Sequence, residues 1–151
     1  MTKIQYIKAT AQDVPFINRV YTENMAALHG IERNEETWKA LLSEKNSIYY
    51  IVYTTQPVAW FRLDTEEDGL WLGMLQVCRA CQRRGIGRAV LSAAETIARE
   101  SGGECLGIHT TQDNLAARSL YTACGYTLSE MGPCTTADGV ERLGCTFCKK
   151  L

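Results

Sequence analysis

Long apolar runs are missing from this chain. No stretch of about 18 apolar residues occurs, which excludes a membrane-spanning helix. The opening Met1-Thr2-Lys3-Ile4-Gln5-Tyr6 also lacks the apolar core of a secretory leader, so a cytoplasmic location is the expectation. Charge of one sign is equally scarce. Sixteen basic side chains face seventeen acidic ones, a net charge of −1. That balance gives no basis for non-specific attraction to nucleic acid. Linkers, repeats and low-complexity stretches are absent, and residues 1–151 read as a single domain. Apolar residues at 46% and charged residues at 22% are an ordinary globular balance.

Cysteine is the exception to this restraint, with seven. In a reducing compartment such residues act mostly as small buried hydrophobes. Two Cys-x-x-Cys pairs occur, Cys78/Cys81 and Cys145/Cys148. Together they invite a zinc or redox reading. They lie more than sixty residues apart, however, and the second pair falls in a strand-like run. Residues three apart on a strand point to opposite faces, which opposes a shared metal. No metal is expected.

The hydrophobic period changes along the chain. A short strand around Ile4 to Lys8 precedes a helix start at Thr10-Ala11-Gln12-Asp13, with Pro15 in the first turn. That helix carries Phe16, Ile17, Val20, Tyr21 and Met25 at helical spacing and fades near His29-Gly30. A second helix covers Glu35 to Leu42. Ser47–Tyr53 and Val58–Leu63 form a hairpin about Thr54-Thr55-Gln56-Pro57. An acidic turn, Asp64 to Gly69, leads to a third strand, Leu70–Val77. A helix from about Gly85 to Arg99, a strand Leu106–Thr110, a helix Asn114–Cys124 and a closing hairpin around Asp138-Gly139 complete the order. Such an order specifies an α/β (α+β) fold, with a mixed, mostly antiparallel central sheet of about seven strands flanked by four helices.

The informative stretch runs from Leu75 to Leu91: a strand, a loop containing Gly85 and Gly87, then a helix. Backbone N–H groups of a first helical turn lack internal partners and sit at the positive end of the helix dipole, which suits a phosphate. The two glycines permit close approach. Arg79, Arg83, Arg84 and Arg88 add cations. A P-loop ending is absent, and the dinucleotide fingerprint fails because Val90 stands where its third Gly or Ala belongs.

Gln82-Arg83-Arg84-Gly85-Ile86-Gly87 resembles the Gln/Arg-x-x-Gly-x-Gly/Ala acetyl-CoA motif of the GNAT superfamily of N-acetyltransferases. Arg79 and Cys81 depart from the Pro and aromatic residue frequent there. A second block, Asn114-x-x-Ala117-x-x-x-Tyr121-x-x-x-Gly125-Tyr126, is similar to that superfamily's Asn-x-x-Ala-x-x-x-Tyr-x-x-x-Gly-Phe/Tyr signature. Asn114, Arg118 and Tyr121 share one helical face. The resemblance implies acetyl-CoA as co-substrate and an amine as acceptor, with direct attack in a ternary complex. It implies that backbone groups of Arg83 to Arg88 hold the CoA pyrophosphate. Leu75, Gln76 and Val77 would pair with pantetheine and supply the oxyanion donor. Asn114 and Ala117 would line the pantetheine arm, and Tyr121 would protonate the leaving thiolate. Dimers are frequent in the superfamily, so a homodimer is one assembly it implies.

The base and the acceptor stay open. Asp64, Glu66, Glu67, Glu23 and His109 are base candidates, set against a solvated acidic turn and a structural histidine in the sheet. Glu32, Glu35 and Glu36 with Glu23 either attract a cationic amine or form a solvated helix face. Trp38, Trp60 and Trp71 read better as core than as pocket lining. Two other functions fit the same residues: a silent acyl-CoA-binding module, and a Cys-x-x-Cys zinc or redox interaction protein.

Overall fold

The computed structural model describes residues 3–151. Strands β1 (Gln5–Lys8), β2 (Ser47–Tyr53), β3 (Pro57–Glu66), β4 (Gly69–Val77), β5 (Cys105–Thr111), β6 (Thr127–Thr135) and β7 (Glu141–Lys150) alternate with helices α1 (Val14–Asn24), α2 (Glu35–Leu42), α3 (Ile86–Glu100) and α4 (Leu115–Ala123). The strands form one sheet in the order β1-β2-β3-β4-β5-β7-β6. Every neighbouring pair is antiparallel except β4 and β5, which α3 links as a parallel crossover. The expected architecture is therefore the observed one.

Local chemistry sets the helix starts. Thr10 and Asp13 form a capping box on a 3-10 turn that runs into α1. Asn34 caps α2 by accepting from the Thr37 N–H at 2.8 Å. Gly85 and Asn114, expected inside their helices, instead stand as N-caps of α3 and α4.

The core has a layer on each face of the sheet. Under α1 and α2, Tyr21, Trp38, Tyr49 and Trp60 form an edge-to-face cluster, with Trp38 and Trp60 fully buried. Both indole N–H groups are satisfied, by Asn18 at 2.8 Å and by the Ile17 carbonyl at 3.1 Å. Under α3, Tyr50 stacks on Phe61, and Val90, Leu91 and Ala94 pack down. A buried polar link ties α3 to the far half of the sheet: Glu95 accepts from Tyr126 at 2.9 Å and from Lys149 at 3.0 Å.

The acidic turn differs from expectation. Strand β3 runs on to Glu66, so Asp64 lies within the sheet, 8% exposed, instead of in a solvated loop. Arg62 grips it through both carboxylate oxygens at 2.8 and 2.9 Å, and Ser47 donates at 2.8 Å. Arg62 and Asp64 are two apart on β3 and so share a face. Arg62 pairs with Met74 but Leu63 with Leu72, leaving Gly73 as the extra residue of a bulge.

Candidate functional site

Strands β4 and β5 pair only over Leu70–Leu72 and Leu106–Ile108. Beyond that seam β4 continues to Val77 with no neighbour on its β5 side. The Cys78 N–H donates to the Val58 carbonyl at 2.9 Å, which fixes the alternation of the β3–β4 ladder. Gln76 therefore turns its backbone groups to β3, while Leu75 and Val77 turn theirs to the opened side. Two side chains already use one of those groups. Asn24 and Gln82 donate to the Val77 carbonyl at 3.0 and 3.1 Å, and Asn24 also bonds the Gln76 side chain.

A cleft of about 610 Å³ occupies the gap. Leu75, Gln76 and Val77 form one wall, and the C-terminal end of α1 with Ala27 and Leu28 forms another. The loop before α3 and its first turn close one end through Gln82, Arg83, Gly85, Ile86, Gly87 and Arg88. Asn114, Ala117 and Leu120 of α4 complete the lining. Eleven of the thirteen residues expected at the donor site thus surround one space. The exceptions are Arg84, which is exposed outside the lining, and Tyr121.

The loop is built to present backbone. Arg83 and Gly85 both adopt the left-handed region, at φ 66° and 80°. No side chain caps α3, and its first internal bond is from the Ala89 N–H to the Gly85 carbonyl. The N–H groups of Ile86, Gly87 and Arg88 are left as donors at the end of a 15-residue helix. A side chain at Gly87 would press on Leu120 at 3.2 Å, so glycine lets α3 and α4 approach. Arg83 and Arg88 are exposed and carry no ion pair among the described residues.

On α4, the Asn114 oxygen caps the helix by accepting from Ala117 at 3.2 Å, leaving its amide N–H groups for another acceptor. Tyr121 lies behind the wall, 8% exposed, against Tyr126 and Phe147. Its hydroxyl makes no hydrogen bond among the described residues. Burial pushes this phenol up to about 12, so it keeps its proton throughout the neutral range.

Sequence reasoning missed Asn24, Ala27 and Leu28. Asn24 reaches across 52 and 53 positions to its partners on β4, and no local spacing signals such a contact. The carboxylate of Glu23 accepts from the Arg79 N–H at 3.0 Å, so it serves as a loop fastener. Glu32, Glu35 and Glu36 are exposed and lie outside the cleft lining.

The cysteine pairs show no site of their own. Cys145 is fully buried while Cys148 lies on the other face of β7. Burial, then the adjacent Cys81 thiol, pushes Cys78 up to about 11, which keeps it a thiol. Among the described residues no three His, Cys, Asp or Glu side chains converge on a metal position, and no helix is long and apolar enough to cross a membrane.

An opened parallel seam, a glycine loop and a bare helix start facing one cleft define a coenzyme A-type acyltransferase fold. Residues 14–126 match the family model described as the acetyltransferase (GNAT) family. The chain belongs to that family. Three solved structures are similar throughout. The ribosomal-protein-S18-alanine N-acetyltransferase of Escherichia coli shares 19% identity at a TM-score of 0.78, covering 98% of this chain and 94% of that one. The paiA N-acetyltransferase of Thermoplasma acidophilum, in complex with coenzyme A, shares 17% at 0.73, covering 99% of each chain. The yncA protein of Salmonella typhimurium, solved with its cofactor acetyl-CoA, shares 17% at 0.76, covering 99% and 94%. No curated protein sequence matches the chain significantly.

Proposed function

We propose that this protein transfers an acetyl group from acetyl-CoA to a primary amine of a small molecule or peptide, by direct attack within a ternary complex. The observation that carries this reading is the single cleft joining the bare start of α3 to the unpaired edge of β4. The pyrophosphate sits on the N–H groups of Ile86, Gly87 and Arg88, flanked by Arg83 and Arg88. The pantetheine arm lies along Leu75 to Val77 as an added strand, and the Asn114 amide donates to it. An amine attacks the thioester carbonyl, and the oxyanion takes a hydrogen bond from backbone N–H of β4. As the C–S bond breaks, the thiolate receives the Tyr121 proton. Burial keeps the Tyr121 phenol protonated throughout the neutral range, so the proton is in place when the thiolate forms.

Calorimetry with coenzyme A, followed by thiol release from acetyl-CoA with a panel of amines, tests the proposal. Tyr121→Phe is expected to lower kcat about a hundredfold at saturating acetyl-CoA, with coenzyme A affinity unchanged. Full turnover in that variant would remove Tyr121 from the acid role. Coenzyme A binding without turnover of any amine would leave a binding module.

A further inference from the structure

A second, smaller cavity of about 250 Å³ adjoins the cleft. Ala27, Leu28 and Asn114 line both spaces, so the small cavity opens where a pantetheine arm would end. Its other walls are the end of β5 with His109, Thr110 and Thr111, the end of β6 with Cys134 and Thr135, and Thr136 just beyond it.

Two features of this cavity decide its chemistry. The first is the absence of Asp, Glu, Lys and Arg from its lining. The nearby charges are already engaged. Asp113 lies 2.8 Å from His29 and accepts from Thr111, and Asp138 is paired with Arg142 at 2.9 Å. With no carboxylate in the lining to hold an ammonium ion, the cavity favours an acceptor that gives up its proton readily over a strongly basic amine. An α-amine, with a pKa of about 7.7–8.0 against about 10.4 for a lysine side chain, supplies far more neutral nucleophile near pH 7. The hydroxyls of Thr110 and Thr135 make no hydrogen bond among the described residues, and neutral donor-acceptor groups suit the amides of a peptide.

The second feature is His109. Its ring lies over Gly144, where a Cβ would meet both Nε2 and Cys134 Sγ at 2.8 and 3.0 Å. Its Nδ1 faces Thr146 Oγ1 at 3.4 Å on the neighbouring β7. Thr146 meets one ring nitrogen, and Nε2, beside Cys134 of the cavity wall, makes no hydrogen bond among the described residues. The groups around it from β6, β7 and the loop after α1 are Cys134, Thr146, Gly144 and the apolar Ala27 and Leu28, with Arg142 held by Asp138.

We propose that this cavity receives the acceptor as the free α-amine of a short peptide, and that His109 is the catalytic base. His109 Nε2 takes one proton from the α-ammonium. The freed lone pair attacks the thioester carbon, the C–N bond forms and the C–S bond breaks. The second amine proton leaves the nitrogen as the thiolate takes one from Tyr121, which recovers its own. The products are the acetylated peptide, coenzyme A thiol and an imidazolium that returns its proton to solvent. The assignment rests on the donor reading given above.

The test uses the full chain, acetyl-CoA, a library of free tripeptides varied at the first residue, spermidine, and an α-acetylated lysine amide. The expected result is acetylation of tripeptide α-amines at least about tenfold faster than of the other two amines. His109→Gln then lowers kcat on the best tripeptide about a hundredfold at pH 7, with the KM for acetyl-CoA unchanged. Raising the pH through the α-amine range restores most of that loss, which a merely structural role would not do. Preference for spermidine or the lysine side chain, no acetylation of any tripeptide, or unchanged kcat in His109→Gln would overturn the proposal. Coenzyme A calorimetry on both proteins separates the two levels. Normal heats with any of those results sink the acceptor assignment alone, while absent heats in the wild type sink the donor reading with it.

Discussion

A single glycine shows how residue-scale geometry shapes this sheet. Gly73 is the unopposed residue of the β4 bulge, and a Cβ there would overlap the Asp64 carboxylate and the Arg62 guanidinium. Gly73→Ala must displace a buried, doubly hydrogen-bonded ion pair, and should destabilise the fold by about 2 kcal/mol in urea unfolding. The same contact explains why Asp64 was illegible in the sequence. Asp64-Thr65-Glu66-Glu67-Asp68-Gly69 has the composition of a solvated turn. Arg62, two places earlier, shares the face of Asp64 only because β3 runs on to Glu66, and Ser47 meets Asp64 from across the sheet on β2. His109 stands in the sequence both as a base candidate and as a structural histidine, because a lone His in a strand carries no sign of a cavity beside it. By contrast, the stretch Leu75 to Arg88 and the block opening at Asn114 named eleven cleft residues, since their roles depend on local backbone geometry that spacing reports.

At the scale of elements, the loop entering α3 and the β6–β7 hairpin each make a prediction. Gly85 holds φ 80° at the N-cap, a conformation costing a side-chain-bearing residue about 1–2 kcal/mol. Gly85→Ala should therefore weaken coenzyme A binding about tenfold by calorimetry, with little change in far-ultraviolet circular dichroism. The hairpin is tied at its tip by Asp138, which accepts from Thr136, Arg142 and the Val140 N–H. The Thr136 hydroxyl and then the Arg142 guanidinium hold its carboxyl down, from an ordinary 3.8 to about 2. A carboxylate depressed on folding contributes its stability above the unfolded value and loses it as pH falls through the folded value. The tip should thus be intact at neutral pH and loosen between about pH 4 and pH 2. Amide shifts of Gly139 and Val140 should titrate with a midpoint near 2, and Asp138→Asn should abolish that transition. Element order and the bounds of α2, α3 and α4 were legible because apolar period and capping residues are local, whereas α1, expected to fade near His29-Gly30, ends at Asn24. Gly85 and Asn114 differ from expectation by one place only, being caps that end a helix from outside.

For the molecule as a whole, the parallel seam matters more than any one side chain. The alternation of strands and helices predicted a mixed sheet. That β4 and β5 touch only between Leu70–Leu72 and Leu106–Ile108 follows from the three-dimensional twist, which no periodicity records. The sheet is in effect two half-sheets, β1–β4 and β5–β7–β6, stitched by three residue pairs and braced by Glu95. A molecule laid into the remaining gap becomes the missing stitching. In deuterium-exchange mass spectrometry, the amides of Leu75 and Val77 should label quickly in the unliganded protein. Coenzyme A should protect them selectively, leaving the Leu70–Leu72 suture as slow as before.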